Sequence, residues 1–267
     1  MGSTLRTRRA PAEAALTAME YVVSVSKRTA GLQLPHTFLR DFSKPPSPPS
    51  AQLVQGGRSG EVRQKLYLTA CLVASGHPHK YARQTPARAW AELLNLEDPA
   101  GKGASRVSTA FSWLHENLYL DVDRHKGRPP QFRLLNPKLD GTDYQRPTAE
   151  YVTVPLGLWR QHWISALSAA ELGVLLAILD GPGDDKPGGK PRFLTEDQKE
   201  RYGFSEDSWT RATRQLERLG LIELRREVTG EAMQYRRMRN IYRFPDAAFD
   251  TPPPWPIEKS GREPNLQ

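Results

Sequence analysis

LTEDQKERYGFSEDSWTRATRQLERLGLIELRR, residues 194–226, decides the fold. Thr195 followed by Gln198 fits a capping box, in which side chain and backbone satisfy each other's orphan groups at a helix start. The short helix it opens ends near Arg201–Tyr202, and Gly203 sits in the turn after it. Ser205 is a good N-cap for a longer helix with Trp209, Ala212, Leu216 and Leu219 on its buried face. Gly220 ends that helix. Leu221–Glu227 and Asn240–Phe244 then read as strands around a turn at Thr229–Gly230. Upstream, Ser168 and Glu171 form a second capping box, followed by an apolar face of Leu172, Leu175, Leu176 and Leu179 and a left-handed stop at Gly181.

Helix, loop, short helix, tight turn, longer helix and hairpin is the order of a winged helix-turn-helix, and residues 194–226 resemble that family. The helix–Gly–helix spacing and the exit Leu216–Glu223 carry the resemblance, which covers about 75 residues of this half. A looser copy precedes it. Glu61–Ser75 reads as a helix with Val62, Leu66, Ala70 and Val73 on one face, and Thr85–Pro86 as an N-cap with proline at the first helical position. After the loop DPAGKGA, Ser105–Asn117 places Val107, Ala110, Phe111 and Leu114 together. Tyr119–Arg124 and Gln131–Leu135 flank a candidate wing. Shifted by 102 positions, Ala110 falls on Ala212, Leu114 on Leu216 and Arg124 on Arg226. The lead-ins agree too, Leu32–Arg40 (LQLPHTFLR) with Val152–Arg160 (VTVPLGLWR). The expected class is α+β, mainly helical, with two winged helix-turn-helix domains in tandem.

Pro, Ser and Gly mark the boundaries. Residues 1–57 read as a basic N-terminal extension and Pro-rich linker, 58–137 as the first domain and 138–149 as a linker. Residues 150–247 make the second domain and 248–267 an irregular tail. The stretch 43–60, SKPPSPPSAQLVQGGRSG, is too rich in turn residues to be expected in a core.

The chain has 267 residues and a formal net charge of +8. Residues 1–148 carry 21 Lys and Arg against 12 Asp and Glu, whereas 149–247 carry 15 of each. A basic half points to nucleic acid or an acidic surface. One cysteine, Cys71, excludes an internal disulfide and a multi-cysteine metal site. No apolar run is long enough to span a bilayer, and the basic start lacks an apolar segment, so neither membrane span nor secretory signal is expected. A cytoplasmic, nucleoid- or plasmid-associated protein is expected.

In a helix-turn-helix the outward residues of the second helix meet base edges. These are Ser105, Arg106, Ser108, Thr109 and Ser112 in the first copy, and Ser208, Thr210, Arg211, Arg214, Gln215 and Arg218 in the second. Arg reads guanine bidentately, Gln pairs with adenine, and Ser or Thr serves base or phosphate. On the wings, Arg124, Lys126 and Arg128 in the first copy and Arg225, Arg236 and Arg237 in the second are expected at phosphates. Arg6, Arg8 and Arg9 form a basic arm.

Catalytic readings are weaker. His77-Pro-His79 resembles the His-hydrophobic-His metal site of rolling-circle nickases, but it follows a helix and contains proline. No phosphate-cradling glycine motif occurs. Asp184–Asp185 reads as a solvated turn. Trp90, Trp113 and Trp209 read as core. No cofactor, no metal and no enzymatic activity are expected.

The expected function is sequence-specific double-stranded DNA binding, as a transcriptional regulator or a replication initiator. Architecture alone resembles the iteron-type plasmid initiators. The alternatives are an adaptor binding a protein partner and a nicking initiator. A homodimer is left open.

Overall fold

The computed structural model describes residues 8–55, 58–124, 128–183, 192–229 and 237–257. Eleven α-helices and three small antiparallel sheets are found among them, an α+β arrangement. Helix α1 (Glu13–Ser26) buries Ala15, Met19, Val22, Val23 and Ser26 on one face and stops at Lys27, which adopts the left-handed conformation. It packs on the helices that follow and anchors the region expected as an extension.

After α1 one order of elements runs twice. The first pass is β1 (Leu32–Pro35), α2 (His36–Leu39), α3 (Pro49–Val54), α4 (Arg58–Val73), β2 (Lys80–Tyr81), α5 (Ala87–Leu93), α6 (Ala104–Glu116), β3 (Leu120–Asp123) and β4 (Gln131–Leu134). The second is β5 (Tyr151–Val154), α7 (Gly157–Arg160), α8 (Trp163–Ala166), α9 (Ala169–Asp180), α10 (Glu196–Glu200), α11 (Glu206–Arg218), β6 (Glu223–Thr229) and β7 (Arg237–Arg243). In place of a second β2, the backbone of Arg192 bridges Tyr242 of β7, as β2 pairs with β4. The 102-residue shift carries the bounds of α6 onto those of α11.

The two lead-in strands pair with each other. In the β1–β5 ladder Leu32 faces Val154, Gln33 faces Thr153 and Leu34 faces Val152. Residues 33 and 153 match in the lead-in alignment, so equivalent positions meet across a local two-fold axis. Each strand passes directly or nearly so into a four-residue helix.

A continuous apolar cluster runs from Met19 to Ile257 through both passes. This overturns the single apolar face expected for residues 172–179. Helix α9 buries Leu172, Val174, Leu175, Leu176, Ala177 and Ile178 alike, because α4 and α3 cover one side while α11 covers another. Composition also misreads residues 49–54. Pro49 stands at the start of α3, where a missing N–H costs nothing, and Ala51 and Leu53 are buried.

Capping departs from expectation at three points. Both capping boxes form, at Ser168/Glu171 and Thr195/Gln198, and Ser205 accepts from the Ser208 amide. Thr85, however, does not cap α5; its hydroxyl lies 2.8 Å from the Tyr81 hydroxyl. Gly181 is extended instead of left-handed, because the Arg192 guanidinium donates to the carbonyls of Ile178, Leu179 and Gly181 at 3.3, 3.1 and 2.8 Å. Helix α4 ends the same way, with Arg28 donating to the carbonyls of Leu72 and Cys71 at 3.1 and 3.0 Å. The third point is Pro99–Gly103, expected as loop: it forms a π-helical turn running into α6, and Asp98 accepts from the amides of Gly101 and Lys102.

The two halves are also tied by charge. Asp180, at the end of α9 and with a fully buried carboxylate, accepts from His36 Nδ1 and from the Tyr202 hydroxyl at 2.8 Å, and pairs with Arg40 Nε at 3.3 Å. Lys65 of α4, also buried, reaches Glu61 at 2.8 Å and the Ser165 carbonyl at 3.1 Å. No helix among the described residues is long and apolar enough to cross a membrane.

Candidate nucleic-acid interface

Aromatic packing fixes the outward face of α6. Phe111 lies against Trp90 and Phe132, with ring centroids 5.9 and 5.7 Å apart, and Tyr81 stacks on Phe132 at 5.2 Å. Each such pair stabilises by about 0.5–1.5 kcal/mol beyond its burial. With Val107, Ala110, Phe111 and Leu114 inward, Ser105, Arg106, Ser108 and Thr109 are exposed and Ser112 is half-buried. Arg124, just after β3, donates to the Ser112 hydroxyl at 2.7 Å, which brings a cation of the hairpin onto the helix face. Arg128 is exposed; Lys126 lies outside the described residues. From Ala104 to His115 no carboxylate interrupts this face.

The floor of the face was not legible in the sequence. Ser59, Val62 and Arg63 of α4 and Ser105, Arg106, Thr109, Ala110 and Trp113 of α6 enclose a groove of about 360 Å³. The Arg63 guanidinium stacks 4.1 Å above the Trp113 ring, and burial lowers its pKa. Trp113 is thus only partly core, whereas Trp90 and Trp209 are buried as expected. No local pattern marks Arg63, because its partner lies fifty residues away.

Helix α11 is fixed by Trp209, whose indole Nε1 donates to the Tyr242 hydroxyl at 3.0 Å in the core. Arg211, Arg214 and Arg218 are exposed, and Ser208 and Thr210 are half-buried. One expectation fails here. Gln215 is buried, because it falls three residues after Ala212 and beside Leu216 on the inner side of the helix, so it is out of reach of a base edge. Three cations of this half have acidic partners: Arg211 pairs with Asp207 at 2.7 Å, Arg225 with Glu223 at 2.8 Å and Arg243 with Glu227 at 3.8 Å. Arg236 and the side chain of Arg237 lie outside the described residues.

The basic arm is recast as well. Arg8 does not point to solvent: it donates to the Ala166 carbonyl and pairs with Glu171 at 3.0 Å, while its backbone bridges Ile257. Arg9 is exposed, and Arg6 lies outside the described residues, as does Asp184–Asp185. His79 is buried against Tyr144, and its Nδ1 lies 3.1 Å from the Ala74 carbonyl. Among the described residues no group of three or more His, Cys, Asp or Glu is placed to hold a metal. Cys71 is buried, and desolvation pushes its thiol up to about 12.

No family model matches the chain, and no curated protein or solved structure matches it.

Proposed function

We propose that the protein binds double-stranded DNA sequence-specifically through two winged helix-turn-helix units in tandem, as a transcriptional regulator or a replication initiator. The observation that carries this reading is the repeated order of helix, bridging strand, two helices and hairpin, with the third helix of the first unit exposing hydroxyls and Arg106, and with Arg124 held on that helix at Ser112. An α-helix with short polar side chains and flanking cations suits a major groove, where hydroxyls and Arg meet base edges and phosphates. Two units on one chain raise effective concentration, so modest single-unit affinities multiply.

A second reading concerns the second unit. Three of its cations are paired with Asp207, Glu223 and Glu227, and residues 149–247 carry as many acids as bases, a balance that favours contact with protein, either a partner or another copy of the chain.

The test is charge reversal. In mobility-shift titrations on duplex DNA, Arg106→Glu with Arg124→Glu is expected to weaken binding at least about tenfold and to lower the salt slope by about one per lost phosphate contact. Arg211→Glu with Arg214→Glu separates the two readings: a DNA-reading second unit loses affinity, whereas a protein-binding one keeps it. Unchanged affinity in both double variants would overturn the proposal.

A further inference from the structure

We infer that the chain holds a phosphate group in a pocket built around the β1–β5 pair, separate from the outward faces of α6 and α11. The pocket has a volume of about 250 Å³, below the ~300–1,000 Å³ of sites for drug-sized molecules, so a small anion suits it better than a whole nucleotide. Lys27, Arg28 and Arg146 line it together with Ser26, Thr29, Ser75 and Thr153, and among the described residues no carboxylate does. Cations and hydroxyls without an acid are the chemistry that recognises phosphate.

The three cations are placed by different parts of the chain. Lys27 stands in the left-handed conformation that ends α1, is exposed and makes no ion pair among the described residues. Arg28 is fixed by the carbonyls of Leu72 and Cys71. Arg146 comes from the segment joining the two passes and donates to Gln33 Oε1 at 2.7 Å. Gly31 also lines the pocket and packs closely on β5: its φ is +148°, and a Cβ there would lie 2.5 Å from the Val154 carbonyl oxygen. Burial is the main cause lowering the Arg28 pKa, and the nearby charge of Arg146 lowers it further. Two guanidiniums and an ammonium thus line a pocket in which no carboxylate stands among the described residues, and a phosphate would offset their like charge. The group comes either from free phosphate in solution or from the backbone of bound DNA.

Two arms separate these sources. The full-length protein is titrated with inorganic phosphate by calorimetry at constant ionic strength set with chloride, and duplex DNA binding is followed against salt. Both arms compare the parent chain with the Lys27→Asn, Arg146→Ala double variant; asparagine tolerates the left-handed backbone, and Arg28 is kept because it caps α4. Thermal unfolding checks that the variant folds. Saturable phosphate binding that weakens at least about tenfold in the variant supports a free-phosphate site. Absent phosphate binding with a DNA salt slope lowered by about one supports a backbone phosphate. The Arg106 and Arg124 reversals leave phosphate binding unchanged, so failure of the DNA reading does not decide this one. No saturable phosphate binding together with an unchanged salt slope overturns the inference.

Discussion

Replacing Asp180 by alanine is the sharpest test of how the two halves hold together. Its carboxylate accepts from the Tyr202 hydroxyl at 2.8 Å and holds Arg40 at 3.3 Å and His36, two side chains about a quarter exposed, at 27% and 26%. A hydrogen bond to a charged group contributes about 1.5–3 kcal/mol, and breaking a buried pair by removing one partner costs about 3–5 kcal/mol. Arg40 and His36 can turn into water, which discounts their share, whereas the buried Tyr202 hydroxyl cannot. The expected loss for Asp180→Ala is therefore about 3 kcal/mol, or a fall in Tm of about 6–12 °C for a chain of this size. Asp180→Asn keeps an acceptor for Tyr202 and should cost about half as much. Because α2 and α9 belong to different passes joined by one core, both halves should melt together in chemical denaturation. Asp180→Ala and Tyr202→Phe should also be non-additive, since they share a bond. A loss under about 0.5 kcal/mol, or a separate transition confined to one half, would refute the reasoning.

Other outcomes follow from single positions. Gly203 and Gly220 both have φ near +75°, but a Cβ on Gly203 would sit 2.8 Å from Ala51 Cβ, while Gly220 faces open space. Urea titration should therefore find Gly220→Ala costing about 1–2 kcal/mol and Gly203→Ala more; the reverse order would contradict the packing of that turn on α3. Cys71 should react with thiol reagents only as fast as the protein opens, because its buried thiol stays protonated. Its folded pKa near 12 lies above the unfolded value of 9.0. Its contribution to stability is thus full below about pH 9 and is lost as pH rises toward 12, a fall that Cys71→Ala should reduce in denaturant melts across that range.

Much of the local structure could be read from the sequence because its causes are local. Ser168, Thr195 and Ser205 cap helices within three residues, and Trp209, Ala212 and Leu216 fall inward by helical period. What escaped was set by distant parts of the chain. Arg192 and Arg28 satisfy helix ends from elsewhere, which no window around Gly181 or Val73 displays. Gln215 is polar by type yet buried by phase. Arg8, basic and near the start, is drawn to Glu171. Helix α9 is apolar all round because two passes cover it, so its period alone understates its burial. The groove beneath Arg106 depends on α4 meeting α6, a contact invisible to any motif.

Binding selection from a random duplex library, run at about 50 and about 200 mM salt, tests the central claim most directly. Over that range binding driven only by phosphates weakens steeply. The account predicts an enriched motif with two parts, one per unit, that survives the higher salt. No enrichment, with all binding lost at the higher salt, would contradict it.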